Sequence, residues 1–211
     1  MEVKKFLIAG GNLTALVYDC PEKERGKTAK NLLKEVEQVG FISESSKIQM
    51  AGNELCINAI LAFASTLQKE GKLTTSGIKN SIHYFNKQNL TTIQIPLKFI
   101  KKENVVLFEG IGYALFNKNE KSKVDKQEVL ELAKKYNLPA FGVIIYEKDR
   151  ITPYVYVKAV DSFVKETACG SGSVAFSLFS GINNVVQPTG KTISVKRNKF
   201  LEITAEVSLS N

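Results

Sequence analysis

Two cysteines stand where their chemistry could be used. Cys56 ends the polar run AGNELC and opens the apolar run INAILAFAS, and Cys169 ends TAC and opens GSGSVAFSLFSG. Each therefore precedes a helix, so its sulfur shares a small space with the first backbone N–H groups, which have no partner inside the helix. The positive end of the helix dipole favours thiolate over thiol, so a lowered thiol pKa is expected, and the free N–H groups offer a seat for a carboxylate. If the two starts face each other, a bound amino acid has its carboxylate held from both sides and its Cα between the sulfurs. One thiolate then removes the α-proton and the thiol opposite delivers a proton to the other face, inverting the carbon. The N–H dipoles stabilise the charge that develops on the carboxylate side. Spacing alone does not bring two cysteines together, and two unrelated buried thiols are the plain alternative, because free cysteine commonly packs as a small apolar residue. The same context occurring twice argues for the pair. Cys20, at a strand end before Pro21, lacks that context and reads as structural.

The elements that must position these residues follow from pattern. KFLIAGGNLTALVYD reads as strand, turn and strand, and Glu24 to Val39 as an amphipathic helix with Ala29, Leu32, Leu33, Val36 and Val39 on one face. FISES and KIQMAGN read as short strands, and CINAILAFASTLQKEG as a central helix, apolar almost all round and stopped by Gly71. SIHYFN, LTTIQIPLKFI and NVVLFEGIGYALF are rich in β-formers. After the polar stretch Asn117–Gln127 come an amphipathic helix in VLELAKKYNL, strands AFGVIIYE and PYVYVKAV, the second cysteine with its apolar helix, and strands KTISV and FLEITAEVSL. The second half thus echoes the first, which gives an α/β (α+β) fold of two pseudo-symmetric halves, each with strands around a central helix. The boundary is expected near residue 108, with 1–108 carrying Cys56, 109–211 carrying Cys169 and the site in the cleft between them.

Composition bounds the function. At 211 residues and 44% hydrophobic the chain suits a packed globular protein rather than a disordered or fibrous one. Its formal charge of +8 is spread through KKENVV, KNEKSKVDK and VKRNK, mixed with acidic residues and without interleaved aromatics, so a solvated lysine-rich surface is expected and no nucleic-acid partner. No stretch reaches the roughly 18 apolar residues of a membrane span, and MEVKKFLIAGGN does not develop a signal core, so no membrane association and a cytoplasmic location are expected. Three cysteines without a CxxC pattern suggest neither a disulfide framework nor a zinc site. His83, in SIHYF, reads as a strand residue.

GGNLTALV, EQVGFI, AGNELCINA and TACGSGSVA, in that order, resemble the motifs of the diaminopimelate-epimerase-like superfamily, most closely its histidine racemase branch from opine metallophore biosynthesis. The resemblance spans nearly the whole chain. It implies an amino-acid racemase or epimerase that needs no pyridoxal phosphate, other cofactor or metal, with a small-molecule amino acid as its partner; the oligomeric state stays open, with a homodimer among the options. Cys56 and Cys169 become the acid/base pair, and Ile57, Asn58, Gly170 and Ser171 supply carboxylate-binding N–H groups. Asn12, Gln38 and Glu166 would line the substrate pocket, with Glu37 and Asn53 as further candidates. Other readings stand beside these: a turn residue for Asn12, helix-end solvation for Glu37 and Gln38, and capping for Gly170 and Ser171.

Two departures from the family pattern matter. Ile57 stands where a glycine usually follows the cysteine, which adds bulk on that side. The stretch AVDSFVKETAC lacks the Glu-Arg pair by which diaminopimelate epimerases grip a distal carboxylate, leaving Lys165 as a point-charge substitute. Histidine is therefore the first substrate to consider and diaminopimelate the second. A binding protein of the same fold that has lost turnover is the reading from another class.

Overall fold

The computed structural model describes residues 1–96 and 98–210. The chain opens with β1 (Glu2–Ile8), β2 (Gly11–Tyr18), α1 (Glu22–Leu32), β3 (Gln38–Glu44), β4 (Lys47–Met50) and α2 (Ile57–Ser65). It continues through β5 (Glu70–Thr75), β6 (Ile82–Lys87), β7 (Leu90–Ile95), β8 (Phe99–Lys102), β9 (Val105–Phe108), β10 (Gly112–Asn117), α3 (Lys126–Lys135), β11 (Ala140–Glu147) and β12 (Arg150–Val157). A single 3-10 turn at Lys158–Val160 leads to β13 (Ser162–Lys165), α4 (Gly170–Ser180), β14 (Asn184–Val186), β15 (Thr192–Arg197) and β16 (Leu201–Leu209).

The pairing pattern occurs twice. β2 runs parallel to β3, β3 antiparallel to β4 and β4 parallel to β5; β10 runs parallel to β11, β11 antiparallel to β12 and β12 parallel to β14. Each parallel step needs a crossover, and α1 and α3 supply the first of each set while α2 and α4 supply the second. β16 is the seam. It pairs with β7 through Leu201–Glu206, with β15 through Leu201–Thr204 and with β1 through Val207–Leu209, so β1 to β7 close into a ring with it.

α2 fills the first ring and α4 the curled sheet beyond the seam. Neither helix has a polar face to offer water. In α2 every residue from Ile57 to Ala64 is buried, and Ile57, Ile60, Leu61 and Phe63 each contribute about 1.5–3 kcal/mol by leaving water. α1 and α3 pack outside, over β3 and over β11 with β12. β11 is thus covered on both faces, which is why AFGVII is buried without alternation, whereas β16, covered on one face, alternates.

Two helix ends differ from expectation, and two strands were not expected. α1 ends at Leu32 rather than Val39, because the chain is drawn out of the helix when Glu37 N donates to Leu13 O and Gln38 joins Thr14 in a parallel ladder. α2 ends at Ser65, not at Gly71: Thr66 Oγ1 donates to Phe63 O and Asn86 Nδ2 to Ala64 O, taking up the last carbonyls, and Gly71 lies within β5. β13 and β14, short and weakly patterned, escape sequence reading.

Candidate active site

Each cysteine caps its helix with sulfur. Cys56 Sγ accepts from Ala59 N at 3.4 Å and Cys169 Sγ from Gly172 N at 3.2 Å, with both cysteines in extended backbone at the N-cap position. The two helix starts face each other and are tied together. Asn58 reaches across from α2, donating from Nδ2 to Ala168 O and accepting Gly170 N at Oδ1, at 3.0 and 2.9 Å. A Cβ at Gly170 would stand 2.9 Å from Ile57 Cβ and closer still to its Cγ2, so glycine at 170 is what admits isoleucine at 57. The bulk of Ile57 is absorbed by the opposite helix start and does not intrude on the cleft.

Gln38, at the start of β3, bridges the two sides. Its Oε1 accepts the Cys56 thiol at 2.8 Å and its Nε2 donates to Glu166 Oε1 at 2.7 Å. Glu166 lies close enough to the Cys169 thiol to help raise its pKa. On the far side of Cys169 the Tyr113 hydroxyl lies 3.4 Å from Sγ and 2.7 Å from Ser171 Oγ. The backbone of Cys169 is fixed by Gln187, fully buried, whose Oε1 accepts Cys169 N at 2.9 Å while its Nε2 donates to Ser173 Oγ.

A further set of hydrogen bonds ties the start of β3 to the segment after β13 that carries Glu166 and Thr167. Asn12, at φ 26° just inside β2, donates from its backbone N to Thr167 Oγ1 and from Nδ2 to Glu37 Oε2. Thr14 Oγ1 donates to Asn12 Oδ1 and lies 3.4 Å from Gln38 Oε1. Glu37 also accepts Thr167 N and Oγ1. For Asn12 the turn role and the network role coincide, and it sits behind the cleft wall rather than on it.

The cleft is walled by Leu33, Val39, Ala51, Val155, Val157 and Val160 on its apolar side and by Cys56, Glu37, Gln38, Glu54, Tyr113, Glu166 and Ser171 on its polar side. Its volume is about 30 Å³, near the share of one water molecule, so an amino acid is admitted only when the walls part. Cys56 is on the wall; Cys169 is just behind Tyr113, Ser171 and Glu166. A wider open vestibule lies on the other side of Ala51 and Val160 and carries Arg25, Lys30, Glu22 and Asp161.

No lysine, arginine or histidine is among the cleft-lining residues described. Burial pushes the Glu166 carboxyl up to about 8 and the Glu54 carboxyl up to about 7, and each has an Oε2 without a hydrogen-bond partner. Burial also raises Glu37, against the hydrogen bonds from Thr167 that pull it down. Both thiols are raised well above their ordinary value, first by burial and then by the carboxylates, Glu54 and Glu166 for Cys56 and Glu166 for Cys169. The expected lowering by the helix dipole is therefore overturned. A helix terminus is worth at most about 2 kcal/mol, whereas removing a charge from water costs several.

Of the residues expected at the site, Cys56, Gln38, Glu166, Ser171 and Glu37 converge on the cleft or its wall, and Ile57, Asn58 and Gly170 form the contact between helix starts. In this closed arrangement the Gly170 N–H is engaged by Asn58. Asn53 is exposed, with positive φ, and accepts Gln49 Nε2 away from the cleft. Lys165 is exposed over the Tyr154 ring and does not stand in for the absent arginine. His83 is exposed on β6 and Cys20 is buried under α1. Sequence reading missed Glu54, Tyr113, Gln187 and Thr167. Glu54 and Thr167, two residues from a cysteine, had a positional signal; Tyr113 and Gln187 had none.

Residues 8–209 match the family model described as the histidine racemase CntK N-terminal domain. The chain belongs to this family. It is 32% identical to a histidine racemase of Fusobacterium nucleatum subsp. nucleatum, over 94% of this chain and 91% of the relative, and 23% identical to a histidine racemase of Staphylococcus aureus strain Mu50, over 81% and 76%. Among solved structures it resembles a predicted epimerase from Pseudomonas aeruginosa, with a TM-score of 0.69 and 8% identity over 99% of this chain and 96% of that one. A Bacillus anthracis protein of the phenazine biosynthesis PhzF family follows with a TM-score of 0.62 and 14% identity over 100% and 98%. The fold is thus the epimerase-like one expected, and the chain is an isomerase of the racemase type. Among the described residues, no helix is long and apolar enough to cross a membrane.

Proposed function

We propose that this racemase acts on histidine, inverting Cα by proton transfer between Cys56 and Cys169 with no cofactor. The observation that carries the mechanism is the pair of sulfur-capped helix starts held face to face by Asn58, on a cleft whose ionisable lining is thiol, phenol and carboxyl. With the cleft parted, the substrate carboxylate takes the N–H groups of the two starts and Cα lies between the sulfurs. The thiolate on one side takes the α-proton, its C–H electron pair passes to Cα and the carboxylate, and the thiol opposite gives its proton to the other face. The first sulfur ends as thiol and the second as thiolate, which is the state required for the reverse direction. The substrate ammonium offsets the carboxylates that hold both thiols protonated in the empty cleft, so deprotonation of a cysteine accompanies binding. Glu166, near Cys169 and joined to Cys56 through Gln38, takes that proton in its ionised form, which prevails above about pH 8.

The charge of the lining bears on the substrate. Glu37, Glu54 and Glu166 with no facing cation favour an amino acid with a polar or cationic side chain and oppose one with a second carboxylate, such as diaminopimelate. The test is proton NMR of the reduced protein with L-histidine in D₂O. Loss of the α-proton signal with appearance of D-histidine is expected, and Cys56→Ser and Cys169→Ser each abolish inversion. An α-proton signal that persists with the intact protein sinks the substrate assignment, and full turnover in either variant sinks the two-cysteine mechanism.

A further inference from the structure

Glu54 has no part in the proton transfer set out above, yet it is a carboxyl 7% exposed on the cleft wall with an unpartnered Oε2. Such a group costs stability unless something binds to it. Its placement shows where. Glu166 is linked to Cys56 through Gln38 and acts on Cys169, so it belongs to the reacting centre. Glu54, by contrast, belongs to the Cys56 side and turns toward the apolar arm: a Cβ at Gly52 would stand 2.6 Å from Glu54 Oε2 and still closer to Val157. There Val157 lies beside Glu54, and with Leu33, Val39, Ala51 and Val160 it makes up aliphatic lining of a cleft that has no basic side chain among its described residues. An occupant that matches it is a planar ring with an N–H at its edge: apolar faces against valines, a donor toward Oε2.

We infer that Glu54 is the side-chain recognition residue of this racemase, accepting a hydrogen bond from a ring N–H of the substrate. The inference rests on the histidine reading and adds to it the group that distinguishes an imidazole from a flat ring without an N–H. Glu54 is a specificity residue in this assignment, because it meets the substrate away from the reacting carbon.

The test compares L-histidine with L-3-(2-thienyl)alanine, which has a ring of similar shape and no N–H, by α-proton exchange in D₂O. The intact protein prefers histidine in kcat/KM. In Glu54→Met, which keeps the bulk and removes the acceptor, kcat/KM for histidine falls about 10- to 100-fold, the range for leaving a buried donor without its partner, and the loss is mainly in KM. Exchange of thienylalanine changes less than about threefold, so the preference collapses. Far-UV circular dichroism establishes that the variant is folded; if it is not, Glu54→Asp, which keeps the carboxyl and draws it back by one methylene, carries the same comparison. Loss of both substrates in parallel would place Glu54 at the α-ammonium or in the scaffold and overturn the inference, leaving the racemase reading intact. An intact protein that exchanges neither compound overturns both.

Discussion

Glu54→Gln has a consequence for stability that does not depend on turnover. The folded carboxyl holds its proton up to about pH 7, whereas in the unfolded chain it titrates near its ordinary 4.5. Because the folded value is raised, the native state binds the extra proton in that window, and stability is highest below it and falls as pH rises through it. Each pH unit of the window removes about 1.4 kcal/mol, so Glu54 alone takes about 3 kcal/mol from the native state between about pH 5 and pH 7. Glu166 acts in the same direction up to about 8, which leaves a residual slope in the variant. The glutamine amide cannot ionise, and its buried N–H groups add a penalty of about 1–3 kcal/mol at every pH. Glu54→Gln is therefore less stable than the parent near pH 5 and equal or more stable near pH 8. The chain has no tryptophan, so urea denaturation followed by far-UV circular dichroism is the assay. The parent midpoint drops by at least about 1 M more than the variant's between those two pH values. A variant whose midpoint falls as steeply as the parent's would refute the assignment of an uncharged, buried Glu54.

Gly170→Ala drives a methyl group into Ile57 and costs about 1–3 kcal/mol, or a fall of several degrees in melting temperature. Combined with Ile57→Ala the penalty is relieved, so a double-mutant cycle gives a favourable coupling of about 1–3 kcal/mol; additive losses would mean the helix starts do not touch. Gln187→Leu leaves Cys169 N and Ser173 Oγ without their buried partner and costs about 1–3 kcal/mol, with a lower rate of α-proton exchange at unchanged pH optimum. Unaltered stability and exchange in that variant would remove Gln187 from the positioning of Cys169.

The capped cysteines were legible because capping is local: a thiol before an apolar helix brings its own N–H donors with it, whatever the rest of the chain does. The apolar helices were legible as central for the same kind of reason, since INAILAFA has no face fit for water. What could not be read depends on distant pairings. The end of α1 is set by Thr14 meeting Gln38, twenty-four residues apart, and Tyr113 and Gln187 reach Cys169 from fifty-six and eighteen residues away. The direction of the thiol pKa shifts was misjudged because the dipole is a property of the local chain whereas burial belongs to the whole fold. Ile57, read as a disturbance of the cleft, turned out to be answered by Gly170, a complementarity that sequence spacing does not show.

The pairing of β16 with β1, β7 and β15 sets an order on assembly. During synthesis the segments of the first ring and the apolar helix they enclose emerge well before residues 201–209, yet the ring has no closing strand until those residues arrive. For most of translation α2 is a greasy rod in an unfinished staple, with the margins of β1 and β7 open to foreign strands. Folding must wait on its longest-range contacts, so the nascent protein is expected to gain protease resistance late and all at once, when β16 joins β1 and β7.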